Sequence, residues 1–100
     1  TYADYKTFVV GDENSKFKLT IGDYTGTAGD RMNYNNGLLF STKDRDNSPG
    51  SRDCASHYTQ GPWWHKHCSF VYLNADLKKA KMRWNGTKFI KAVMKIRKIN

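Results

Sequence analysis

One hundred residues with 38% hydrophobic content make one domain with a thin core, and no apolar run approaches the roughly 18 residues of a membrane-spanning helix. The opening Thr1-Tyr2-Ala3-Asp4-Tyr5 has neither the basic nor the apolar region of a signal peptide, so an exported form is expected to be the mature chain or a piece of one. The net charge of +8 is local: residues 77–100 hold nine basic side chains and no acid, a quarter at +9 against −1 for the remainder. Such a stretch fits heparin-like sugars, anionic lipid or nucleic acid, and equally a solvated face.

In chain order, strand signals come first. "YKTFVVG" (residues 5–11) is aromatic and β-branched, and "KFKLTIG" (residues 16–22) alternates Phe17, Leu19 and Ile21 against Lys16, Lys18 and Thr20. The intervening "DENS" predicts a hairpin turn. The glycines of "GDYTGTAGD" predict no regular element, and "NYNNGLLFS" sets an Asn-Gly turn before a short apolar segment. From Ser41 to His67 the chain reads as a long ordered loop, a length that points to function or to an added constraint. "NADLKKAKMRW" (Asn74 to Trp84) predicts a short helix capped by Asn74. "FIKAVMKIRKI" alternates Ile90, Ala92, Met94 and Ile96 against Lys91, Val93, Lys95 and Arg97 and predicts a strand with one wet face.

Three clusters carry possible chemistry. Cys54 and Cys68 are an even pair at close spacing, read as one disulfide or as two reduced thiols; a bridge would close a loop of about 15 residues and add about 3 kcal/mol. The sequon Asn85-Gly86-Thr87 leans toward secretion and makes Asn85 a glycosylation candidate. In "FSTKDRDNSPGSRDCA" (residues 40–55), Asp44, Asp46 and Ser48 alternate, and a curling loop turns alternate oxygens toward one centre. Hard cations such as calcium take six to eight oxygen ligands. A solvated Asx-rich turn remains the competing reading, and no glutamate closes an EF-hand. "HKHC" with His57, His65 and His67 raises zinc, which requires reduced thiols. No orienting group or oxyanion motif supports a cysteine nucleophile, so no enzyme is expected.

The runs "YTGTAGDRMNYNNGLLFSTKDRDN", "CA", "GPWWHKHC", "LN" and "MKIRK" together resemble the C-terminal half of a fibrinogen-like domain, as in ficolins, tachylectins, tenascins and angiopoietins. The likeness spans about residues 1–98. It implies an α+β, mostly β fold: a small antiparallel sheet with long ordered loops, residues 1–100 forming one shortened domain. By the same resemblance Cys54 pairs with Cys68. The resemblance also implies a calcium site at Asp46, the position of Ser48, and the carbonyls at Gly50 and Arg52, with Asp44 in support. An acetyl-group pocket is implied beside it, walled by Tyr58, with amide donors from a cis peptide joining His67 to Cys68; a cis bond before a non-proline residue costs about 3–4 kcal/mol and tends to mark function.

Three departures bear on function. Ser48 stands where the family usually has aspartate, which lowers the ligand charge of a site already expected near 10⁻⁴ to 10⁻³ M, roughly the range of extracellular modules. Ser69 stands where many lectin members have histidine. Between Leu73-Asn74 and Trp84 only "ADLKKAKMR" remains of a longer loop that forms the pocket's far wall. Thr1 begins inside what resembles a central strand, so its sheet neighbours are expected from a shorter fold, a partner chain or a cleaved remainder, and an unfilled edge favours oligomers. The expected function is a secreted recognition module binding N-acetylated or anionic carbohydrate, in defence; the alternative is an adhesive matrix protein using the basic stretch on polyanions. Neither a membrane span nor a specific nucleic acid is among the expected partners.

Overall fold

The computed structural model describes residues 1–49, 54–56, 60–66, 68, 71–75, 81–85, 87–89 and 91–98. Strand β1 (Ala3–Val10) pairs antiparallel with β2 (Leu19–Gly26), with Tyr5 opposite Tyr24 and Val10 opposite Leu19. The connection is a 3-10 turn, Glu13–Ser15, capped by Asp12, whose carboxylate accepts from the Ser15 amide at 3.1 Å. Lys16 and Phe17 then both take left-handed φ values of 59° and 58°. Two such residues in succession break the alternation, so β2 starts at Leu19, not Lys16, and Phe17 turns outward instead of joining Leu19 and Ile21. The Phe17 carbonyl accepts from the Trp64 indole at 2.9 Å.

The glycine-bearing stretch expected to be irregular continues β2 as far as Gly26. Pairing with β1 overrides the low strand preference of glycine. The Tyr5 and Tyr24 rings pack 5.4 Å apart, and the Thr7 hydroxyl donates to Asp23 at 2.6 Å. Gly26 (φ +147°) closes directly over the Tyr2 carbonyl, where a Cβ would collide with backbone.

A second sheet has the order β3-β4-β5 from Val71–Tyr72, Met82–Trp84 and Thr87–Phe89, both pairs antiparallel. The helix expected from Asn74 to Trp84 is therefore replaced at its C-terminal end by β4; residues 76–80 lie outside the described residues. Tertiary contacts decide the matter, because Met82 is buried and Trp84 donates its indole N–H to the Ala28 and Gly29 carbonyls at 3.1 and 3.2 Å. The strand expected over residues 89–99 is also corrected. Residues 91–98 form no ladder and are exposed throughout. Alternation marks a chain able to be a strand, but the ladder requires a neighbour, and among the described residues it has none.

The core gathers Leu19, Ile21, Met32, Trp63, Trp64, Val71 and Tyr72. Trp64 meets Phe8, Phe40 and Trp63 edge-on at 6.1, 5.1 and 5.2 Å between centroids, the geometry aromatic quadrupoles favour. Trp63-Trp64 is thus packing. Cys54 and Cys68 are joined as a disulfide, and the described chain has no free cysteine.

Candidate functional site

The loop after Phe40 is fixed by its own polar side chains. Ser41 is fully buried and exchanges two backbone hydrogen bonds with Trp63, at 2.9 and 3.1 Å. Its hydroxyl accepts from the Asn47 amide at 2.9 Å, while the Asn47 side chain donates to the Phe40 carbonyl at 2.9 Å. Between these anchors Thr42 and Arg45 close a tight turn through paired backbone bonds of 2.9 and 3.2 Å. Short side chains that bond to nearby backbone provide what strand or helix ladders would otherwise supply.

The carboxylates divide their roles. Asp44 accepts from the Thr42 hydroxyl at 2.7 Å, and that bond, with its own backbone amide and then Arg45, holds its carboxyl below the usual range. Asp46 accepts from both the Ser48 amide, at 3.0 Å, and the Ser48 hydroxyl, at 2.5 Å. The Ser48 hydroxyl lies 3.9 Å from the Cys54 sulfur. Two oxygens thus converge beside the disulfide, and both are hard donors of the kind calcium takes. Only one brings charge, and no group of three acidic, histidine or cysteine side chains gathers among the described residues. Asp46 and Ser48 therefore fit calcium in donor type, with reduced charge. Gly50, Arg52, Tyr58 and His67 lie outside the described residues, so the expected carbonyl ligands, the aromatic wall and the His67–Cys68 bond do too.

Cys68 has a left-handed φ of 57°, and its carbonyl accepts from the Gln60 side chain at 2.9 Å. His65, 2% exposed, has its Nε2 2.7 Å from the Gly61 carbonyl and serves the interior. With the cysteines oxidised, thiolate zinc ligation is excluded at that pair.

A second concavity was not marked in advance by any motif. Asp30, Arg31, Asn33, Tyr34 and Asn85 line a groove of about 290 Å³. Its floor is tied down from β1: the Tyr5 hydroxyl donates to Asp30 at 3.0 Å and accepts from the Met32 amide at 3.2 Å. Burial and the Asp30 bond push the Tyr5 hydroxyl well above its ordinary pKa. The Trp84 indole bonds draw the β4–β5 turn, and with it Asn85, onto the same loop. The Lys66 ammonium sits 4.5 Å from the Tyr34 ring centroid, a cation–π contact. The lining residues come from two separate stretches of chain, 30–34 and Asn85, and only Asn85 carried a signal in sequence, its sequon.

Comparison with known proteins decides the affiliation. The family described as fibrinogen beta and gamma chains, C-terminal globular domain, matches residues 1–98. The chain belongs to this fibrinogen C-terminal domain family. It is 44% identical over 95 residues to tenascin-R of Gallus gallus, covering 88% of this chain and 7% of that protein. It is 48% identical over 77 residues to fibrinogen-like protein A of Apostichopus parvimensis, covering 75% of this chain and 27% of that one. The chain therefore spans only a small part of the curated relatives it matches. Among solved structures it is similar to the fibrinogen-like globe domain of human ANGPTL2, with a TM-score of 0.68 at 36% identity over 84% of this chain and 36% of that one. The globe domain of human ANGPTL6 gives 0.63 at 37% identity, over 69% of this chain and 31% of that one. The mostly β, antiparallel fold expected from the sequence is the fold of these neighbours. No described helix is long and apolar enough to cross a membrane.

Proposed function

We propose that this chain is a secreted extracellular recognition module that binds N-acetylated or anionic carbohydrate beside a calcium ion, without a catalytic step. Calcium would be held by Asp46 and Ser48 with the carbonyls of Gly50 and Arg52, and the sugar would meet Tyr58 and the peptide joining His67 to Cys68. The observation that carries the reading is the convergence of Asp46 and Ser48 next to the Cys54–Cys68 disulfide. An oxidised pair also suits an extracellular setting. Calcium would supply positive charge and coordination there, while the chain orders the loop through Ser41, Asn47 and the bridge to Trp63.

Calorimetric titration of calcium into chelator-treated protein, repeated with N-acetylglucosamine, tests the proposal. Saturable calcium binding that strengthens sugar binding supports it. Heat from neither removes the lectin reading.

A second reading rests on a separate observation. Residues 91–98 are exposed along their whole length and include Lys91, Lys95, Arg97 and Lys98 with no acid. Such a segment fits adhesion to polyanionic matrix, and the relatives that carry the tenascin name suit a matrix setting. Charge-driven binding falls steeply as salt rises, whereas a sugar pocket resists salt and fails with a chelator. Association with another chain belongs to the same reading, since Val93, Met94 and Ile96 are exposed beside those cations.

A further inference from the structure

The sequon Asn85-Gly86-Thr87 begins just after β4 and ends on the first residue of β5, and Trp84 pairs with Thr87. Asn85 takes the left-handed φ of 53° that two-residue hairpin turns need at their first position. The Arg83 guanidinium donates to the Asn85 carbonyl at 2.6 Å and fixes the turn, while Thr87 is exposed. The Asn85 side chain makes no hydrogen bond among the described residues and lines the groove with Asp30, Arg31, Asn33 and Tyr34. An acceptor asparagine thus sits at the wall of a polar concavity that contains an aromatic ring.

We propose that Asn85 carries an N-linked glycan whose first N-acetylglucosamine lies in this groove, against Tyr34, instead of projecting into solvent. At about 290 Å³ the groove falls just below the roughly 300–1,000 Å³ of drug-sized ligand sites, a size that suits a single sugar unit. A pyranose presents C–H faces that pack on an aromatic ring, and hydroxyl and acetamide groups for which Asn33 offers both donors and an acceptor, Arg31 donors and Asp30 acceptors. In the modification a bond forms between Asn85 Nδ2 and C1 of the sugar. The bond from C1 to the oxygen of a lipid-linked pyrophosphate donor breaks, the pyrophosphate leaves, and one amide proton is released. The proposal rests on the extracellular reading, because that donor acts along the export route.

The test expresses the full chain in animal cells behind a secretion leader and compares it with Asn85→Gln and Tyr34→Leu. Intact mass, enzymatic release of N-glycans and peptide mapping should place a glycan at Asn85, absent from Asn85→Gln. In the glycosylated wild-type protein, the N-acetyl methyl resonance should lie upfield of its position in the released glycan and show proximity to the Tyr34 ring; in Tyr34→Leu it should return to the free position. Secreted protein with the Cys54–Cys68 bond formed but Asn85 bare overturns the proposal and leaves the extracellular reading standing. Protein retained in the cell with both thiols reduced overturns both. An occupied Asn85 whose methyl resonance matches the free glycan in wild-type protein refutes the docked sugar without any appeal to the folding of a variant.

Discussion

Tyr5 joins the first strand to the groove through one hydroxyl, which donates to Asp30 and accepts from the Met32 amide. Tyr5→Phe should lower stability by about 1 kcal/mol at neutral pH, the usual net worth of such bonds, read as a shifted urea midpoint. The sign with pH follows from the raised pKa of the folded state. The contribution is fully present below the unfolded value near pH 10 and is lost as pH rises toward the folded one. The gap between wild type and Tyr5→Phe should therefore narrow above about pH 10, and a gap constant to pH 11 would refute the assignment. In the loop proposed to hold calcium, Ser48→Asp adds a second carboxylate beside Asp46 and should tighten calcium about tenfold by calorimetry, since ligand charge sets affinity in such sites. Asp46→Ala should abolish that binding with little effect on the thermal midpoint, because the loop keeps Ser41 and Asn47.

At the scale of elements, the long middle segment depends on a covalent tie and on close backbone approaches. Reducing Cys54–Cys68, fourteen residues apart, should cost about 3 kcal/mol. Urea unfolding with and without reductant measures this directly. Gly61 has φ +78°, and a Cβ there would collide with the Asn74 carbonyl. Gly61→Ala should therefore destabilise by more than about 1 kcal/mol, and an unchanged midpoint would mean that this contact yields. Two elements depart from their local signals for one reason. The "MRW" end of the expected helix, Met82–Trp84, becomes a strand because Met82 and Trp84 find an interior and a sheet partner. Residues 91–98 keep a strand pattern but no ladder, because pattern cannot supply the neighbouring backbone.

For the whole molecule, charge is the property with the clearest consequence. If the exposed cations at 91, 95, 97 and 98 carry polyanion binding, replacing all four with alanine should reduce heparin affinity by more than tenfold at low salt and flatten its salt dependence. Binding to N-acetylglucosamine beads should be unaffected by the same change. Equal loss in both assays would mean that the two readings share one surface.

The first hairpin and the turn-rich loop holding Asp46 and Ser48 were legible in residue types and spacing, and the family, with the Cys54–Cys68 pairing it implies, was legible in its ordered motifs. The hairpin and the loop depend on neighbours in sequence: alternation, a cap at Asp12, short polar side chains bonding nearby backbone. The outward turn of Phe17, the strand at Met82–Trp84, the missing ladder at residues 91–98 and the groove shared by Asp30, Tyr34 and Asn85 were decided only by tertiary structure. They depend on groups as many as 56 residues apart, as in the Trp84 indole bonded to Ala28. No local pattern encodes which distant backbone a side chain will meet, and that meeting sets both the groove and what it can hold.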